Sequence, residues 1–401
     1  MKKQYIRSER AHFMCPNMHF GIIIELSAAF DEAKLRDSVQ KLAKVRPFLR
    51  CVIAAEGSMD TLYYKDTGAS KTELVVLRNE DSLWDDYKKI SETAWNVFEE
   101  GMLKLYAYPK EKGMTLLFIA HHLLTDGRGL LELVQTFAGI YTTGISPDIA
   151  EERLIESIED LPEKSALSGI SRFLVKRANK QWKKENHAVS YAQYCAFAKE
   201  YGQMHPVEFE MYEMEREELQ TIIQECRNHG VSVNDWLMAE MYLRTGTEKI
   251  IIAADIRDQL KNYNPGSLGN YSTAMGIVYK AKSTNVMETA KEVRKCVQKH
   301  MNNTRALMLV LACYFEMEPA LLDAAAISAL GGFNSRAAQF VGGGMFGMSS
   351  PKSHSITNLG KVEDEKIDSL VFIPPASPAA KFTLGVVTLN GVLRACSSKN
   401  L

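Results

Sequence analysis

No two cysteines in this 401-residue chain are spaced C-x-x-C. The seven present, Cys15, Cys51, Cys195, Cys226, Cys296, Cys313 and Cys396, are scattered and odd in number. They cannot close into a complete disulfide framework, and a reducing compartment, the cytoplasm, fits them best. Long apolar runs are also missing. The most apolar stretch, Ala306 to Phe315, is about half the ~20 residues a spanning helix needs, so it reads as a core helix and no integral membrane segment is expected. Charge of one sign is lacking too. With 48 Lys and Arg against 49 Asp and Glu, the formal net charge is -1, which gives no field to capture nucleic acid or an anionic membrane. The chain begins Met-Lys-Lys, but Gln4 to Asn17 carries charges and no apolar core of the ~7 to 15 residues a secretory leader requires. No short repeat is present.

What is there is ordinary globular composition, 46% hydrophobic and 24% charged. Hydrophobic cores stop growing at roughly 250 to 300 residues, so a chain this long is expected to form two lobes. Strands and helices are intermixed. Met18 to Leu26 reads as a strand, and Asp31 opens a helix with Leu35, Val39, Leu42 and Val45 on one face until Pro47 ends it. Arg50 to Ile53, Thr61 to Tyr64, Leu103 to Tyr108 and Met114 to Ala120 read as strands, and Ser82 to Val97 as a helix. Gly127 to Tyr141 has helical spacing, stopped by Gly144 and Pro147. From Asp148 to Pro206 the chain turns rich in Glu, Lys and Ser, suggesting exposed helix and connector. Beyond it, strands are expected at Val207 to Tyr212 and Lys249 to Ala254, with helices at Glu217 to Arg227, Ser232 to Leu243 and Glu288 to Met308. Late strands are expected at Ser353 to Asn358, Ser369 to Ile373, Phe382 to Leu389 and Val392 to Cys396, the last two joined by an Asn390-Gly391 turn. The expectation is a mixed α/β protein with lobes at 1–170 and 206–401 and a connector at 171–205.

The sharpest local signal is Ile119-Ala120-His121-His122-Leu123-Leu124-Thr125-Asp126-Gly127, where an apolar strand delivers two histidines to a loop and a helix follows. Imidazole suits proton transfer near neutrality, since one nitrogen can accept a proton while a neighbour holds the other. Asp126 can fold back to brace that loop or can cap the helix at Gly127, and both readings stay open. Gly127 leaves room for a substrate or a close backbone approach. Adjacent side chains on a strand point to opposite faces, so His121 and His122 do not make a metal pair, and no metal is expected. A Gly-rich run, Gly342 to Gly347, lacks the lysine of a phosphate loop and reads as a flexible, substrate-facing loop.

The string His121 to Gly127 matches the HHxxxDG motif of the condensation-domain-like, coenzyme-A-dependent acyltransferases. That group includes chloramphenicol acetyltransferase, peptide-synthetase condensation domains and stand-alone alcohol acetyltransferases. Other stretches resemble the family's landmarks in the right order: Val45-Arg46-Pro47-Phe48-Leu49-Arg50, Val231 to Trp236, Asp255-Ile256-Arg257, Leu268-Gly269-Asn270-Tyr271, and Ser355 to Gly360. The likeness spans nearly the whole chain. It implies two chloramphenicol acetyltransferase-like lobes facing each other across a tunnel as a pseudo-dimer. In that family the second histidine is the base, so the resemblance assigns catalysis to His122 and Asp126. His121, though usually structural there, stands with Gly127 and Asn358 as a candidate for substrate contact. Asp126 is expected to brace the loop through an arginine, with Arg46, Arg50 and Arg257 as candidates.

The implied reaction moves a short acyl group from acyl-coenzyme A, a co-substrate rather than a prosthetic group, to a small-molecule alcohol or amine. The family also has a plant branch, the BAHD acyltransferases, whose D-F-G-W-G segment is absent here, which argues against that branch. Two alternatives remain: a condensation enzyme whose thioester is borne by a carrier protein, and a non-catalytic binding protein that keeps the fold.

Overall fold

A computed structural model describes residues 2–77 and 80–401. The chain enters as an extended strap that ends in the short helix α1 (Arg10–Phe13), and β1 (His19–Leu26) follows. Asp31 caps α2 (Glu32–Val45), its carboxylate accepting from the Lys34 amide, and the buried face of α2 includes Leu35, Val39, Leu42 and Val45 as the 3.6-residue spacing requires. After β2 (Cys51–Glu56), β3 (Ser58–Asp66), β4 (Glu73–Val76) and α3 (Leu83–Ser91) come β5 (Leu103–Pro109), β6 (Met114–His121) and α4 (Gly127–Thr143). The helix expected to run to Val97 stops at Ser91, because Trp95 folds back under it and donates from Nε1 to the Ile90 carbonyl, while Val97 pairs with Ile53.

Helices α5 (Gly169–Glu185) and α6 (Tyr191–Met204) fill the expected connector. Then come β7 (Val207–Met214), α7 (Arg216–Asn228), α8 (Val233–Thr245), β8 (Lys249–Asp255), β9 (Ser272–Val278) and α9 (Val286–Met301). Four helices follow: α10 (Thr304–Leu307), α11 (Leu309–Glu316), α12 (Pro319–Ala329) and α13 (Arg336–Gln339). The chain finishes with β10 (His354–Val362), β11 (Ser369–Ile373), β12 (Thr383–Leu389) and β13 (Val392–Asn400). The apolar run at 306–315 is broken near Met308, and no helix among the described residues is long and apolar enough to cross a membrane.

Two mixed sheets organise these elements. The first has strand order β11-β1-β6-β5-β4 and the second β7-β13-β12-β10-β8-β9. Strand β11 comes from beyond the connector yet pairs antiparallel with β1, so the first sheet draws on both halves of the chain. Every residue of β6 is buried, since α3 covers one face of this sheet and α4 the other. Such two-sided burial makes β6 a continuous apolar run rather than an alternating one, and this run carries His121 to its end.

The N-terminal strap is stapled across the molecule. Gln4 pairs through its backbone with Tyr64 and through its side chain with the Leu154 amide. Arg10, 1% exposed, forms a two-pronged ion pair with Asp323 of α12 and donates to the Met59 carbonyl at 2.8 Å. Removing one partner of a buried pair strands the other charge, at about 3–5 kcal/mol. Arg10→Ala should therefore lower the urea-unfolding free energy by that order; a loss below about 1 kcal/mol would mean that this pair does not hold the strap down.

Candidate active site

The apolar β6 ends at His121, and its two histidines part company there. His121 turns inward, 2% exposed, accepting from the Leu123 amide on Nδ1 and meeting the His19 ring edge-on at 5.0 Å and Trp95 at 6.1 Å. Burial, then the neighbouring imidazoles, hold its pKa well below the ordinary histidine range, and burial takes His19 down to about 4. His121 is thus a neutral packing group behind the site and not a substrate contact. His122 instead opens onto a cavity of about 320 Å³.

The orientation of His122 comes from a residue far away in the sequence. Asn270 donates from Nδ2 to the His122 carbonyl at 2.6 Å, which turns its Oδ1 toward His122 Nδ1 at 2.8 Å. An amide oxygen only accepts, so Nδ1 must carry the ring proton and Nε2 keeps its lone pair. Burial lowers the His122 pKa from its ordinary value while the Asn270 hydrogen bond works the other way. His12, from α1, stacks on this ring at 4.5 Å and 19°, and Phe20 leans on it at 4.6 Å. His12 also lines the cavity, and burial followed by repulsion from His122 keeps it neutral.

Asp126 is both brace and cap. One oxygen accepts from Arg257 at 2.8 Å and from the Gly129 amide at 2.9 Å, the second bond being the N-cap of α4; the other oxygen accepts from the Tyr271 amide at 2.8 Å. Of the three candidate arginines, Arg257 is the partner. Arg46 is spent on the Val45 carbonyl and the Thr136 hydroxyl, and Arg50 on Asp66 in β3. Glycine at 129 is required by packing, because a Cβ there would stand 2.0 Å from the Thr125 hydroxyl. Gly127 lines the cavity with Leu359 and Phe372 close above it. Asn358, expected at the substrate site, is instead exposed at a bulge of β10, bonded to Asn234 and to the Gly360 amide. The Gly-rich run is a helical turn continuing α13, not an open loop; Gly342 lets it press on α12, whose Ala325 carbonyl would stand 2.0 Å from a Cβ. Met345 and Phe346 of that turn do face the cavity.

No family model matches the sequence. The chain is 27% identical over 129 residues, 30% of its length, to surfactin synthase subunit 1 of Bacillus subtilis (strain 168), and the match spans 4% of that protein. The solved structures it resembles include trichothecene 15-O-acetyltransferase from Fusarium sporotrichioides, with 10% identity, coverage of 99% of this chain and 90% of that one, and a TM-score of 0.64. The condensation domain of the monacolin K polyketide synthase superposes with a TM-score of 0.58 at 11% identity, over 100% and 92%. The epimerization domain from the third module of tyrocidine synthetase B gives 0.59 at 12%, over 98% and 88%. The chain has the condensation-domain fold. Within this fold the His122 loop faces the Leu268 to Tyr271 segment, and the cavity lies between the part of the chain carrying β6 and the part carrying β8 and β9.

Sequence reasoning did not single out His12, Asn270 or Glu9 for the site. Glu9, one helical turn before His12, is 0% exposed. Burial raises its pKa from 4.5 to about 7. The folded protein thus keeps this proton to about pH 7 while the unfolded chain releases it near 4.5, so stability falls as pH rises through that window. Glu9→Gln should stabilise the protein at pH 8, by on the order of 3 kcal/mol, and make little difference at pH 4. Guanidinium unfolding at both values checks this; an equal gain at both would show that ionisation of Glu9 is not the cause.

Proposed function

We propose that this chain is an acyltransferase that moves an acyl group from a thioester to a small-molecule alcohol or amine, with acyl-coenzyme A as the donor. The observation that supports the reading is the Asn270 amide paired with His122 Nδ1 on a residue that lines the cavity, a pairing that leaves Nε2 as the ring nitrogen with a free lone pair. An acceptor hydroxyl or amine beside Nε2 gives up its proton as its oxygen or nitrogen attacks the thioester carbonyl. The tetrahedral adduct then collapses, the C–S bond breaks, and the leaving thiolate takes the proton back from Nε2. No covalent enzyme intermediate is needed. General base catalysis of this kind contributes on the order of 10² to 10⁴ in rate. Asp126 acts at one remove, fixing the loop and the Tyr271 amide beside Asn270.

The condensation domains that share the fold favour a second donor, a thioester on a carrier protein. Purified protein and its His122→Ala variant, incubated with acetyl-coenzyme A and a panel of alcohols and amines, distinguish the readings through release of free thiol. Acceptor-dependent release that falls at least 100-fold in the variant is the expected result. Release only from a carrier-bound thioester would move the donor to the second reading. No release from either would leave a binding protein. Because protonation of His122 removes the base and burial lowers its pKa, the acid limb of kcat/KM should have its midpoint below the ordinary histidine value of about 6.5. A midpoint above 7 would contradict the assignment.

A further inference from the structure

A net charge near zero gives the chain no overall field, but the charge is not evenly spread. Helix α5 carries Arg172, Lys176, Arg177, Lys180, Lys183 and Lys184 against one carboxylate, Glu185, within 17 residues. Its apolar residues divide between two sides. Val175, Ala178 and Trp182 are buried in one cluster with Leu321 and Leu322 of α12 and with Ala337 of α13, which anchors the helix along that side. Ile170 and Phe173 stand apart from them, 77% and 63% exposed.

The outward stripe is regular. Ile170, Phe173, Arg177, Lys180 and Lys184 follow one another at intervals of three and four, which places them on one face of the helix, with Lys176 beside them, and all six are exposed. At 1.5 Å per residue the stripe is about 21 Å long. The other two cations are spent, Arg172 on Glu316 at 3.4 Å and Lys183 on Glu318 at 2.8 Å. Glu185 is bonded to Gln181, Ser335 and the Ala337 amide. Lys176, Arg177, Lys180 and Lys184 form no ion pair or hydrogen bond among the described residues. Four cations without counter-charge in a chain of net charge -1 mark a face for an anionic partner. The two apolar side chains at the leading end of the stripe narrow the choice. An anionic bilayer answers both features at once, with headgroup charge outermost and hydrocarbon just beneath, whereas a phosphate backbone or an acidic peptide answers only the charge.

We propose that α5 docks the protein on an anionic lipid surface. The helix lies along the membrane plane, with Lys176, Arg177, Lys180 and Lys184 against the headgroups and Ile170 and Phe173 inserted at the edge of the acyl chains. The inner side of α5 stays packed in the protein, so docking needs no unfolding of the helix. The proposal goes beyond acyl transfer at His122 and does not depend on it.

Co-sedimentation of the whole chain with vesicles tests this, using phosphatidylcholine alone and phosphatidylcholine mixed with phosphatidylglycerol. The expected result is partitioning at least about tenfold stronger into the mixed vesicles and weakening as salt rises, since each basic residue near an anionic surface contributes about 1 kcal/mol, or about fivefold. Lys176→Gln, Lys180→Gln and Lys184→Gln combined should cut that binding by on the order of 100-fold. Phe173→Ser keeps every charge and should cut it about threefold or more. All four side chains are exposed, so both variants should melt like the parent. Equal binding to the two kinds of vesicle, no binding to either, or a triple variant that binds like the parent would each overturn the proposal. Polyglutamate and a short RNA duplex serve as rival anions. Tighter binding of either than of the mixed vesicles, weakened by the triple variant and untouched by Phe173→Ser, would give the face to a polymer partner and likewise overturn it.

Discussion

The Asp126 carboxylate sits where four pieces of chain must meet. Its oxygens hold the Arg257 guanidinium, the first turn of α4 and the amide of Tyr271, while its own amide donates to the Gly269 carbonyl. Two of these partners are 131 and 145 residues away. Taking a carboxylate and a guanidinium out of water costs several kcal/mol each, recovered only when the geometry supplies charge and hydrogen bonds together. Asp126 meets that condition on both oxygens, so its return is positional rather than a gain in stability. The His122 loop cannot move independently of the segment that carries Asn270, and the proposed base depends on that coupling.

From this junction the rest of the site follows. The β6 run, buried on both faces, delivers the loop to one end of the cavity. Asn270 then chooses the tautomer, His12 and Phe20 hold the ring, and the buried His19, His121 and Trp95 cluster packs behind. The strap bearing His12 is tied in turn by the Arg10 pair with Asp323, so one face of the His122 ring is covered by the N-terminal strap and secured by α12. On the sheet opposite, alternation sends Ile250, Ile252 and Ile356 into the core and Lys249, Ile251, Ala253, Ser355 and Thr357 to the cavity.

The parts legible in the sequence were those written locally. His122, Asp126 and the cap at Gly127 lie within six residues, and β11 spans Ser369–Ile373 as its apolar run implies. The arginine serving Asp126 was not legible, since three candidates fit and only the fold chooses Arg257. His12 escaped for the same reason, and Asn270, though part of a stretch that resembles a family landmark, was given no role, since both are brought to His122 from distant chain. Strand β9 went unread because its cavity face is Ser272, Ala274 and Gly276, residues that give no apolar alternation. Asn358 was misplaced because strand alternation, which turns Ser355 and Thr357 of β10 to the cavity, turns 358 to the opposite face, where it meets Asn234 of α8.

The account turns on one proton. Nitrogen-15 NMR of histidine-labelled protein at pH 8, with His122 assigned by comparison with His122→Gln, reads which ring nitrogen carries it. The account predicts a neutral ring protonated on Nδ1 in the parent, and loss of that single tautomer in Asn270→Ala. A His122 protonated on Nε2 in the parent, or a tautomer indifferent to Asn270, would contradict the claim that the facing segment prepares the base.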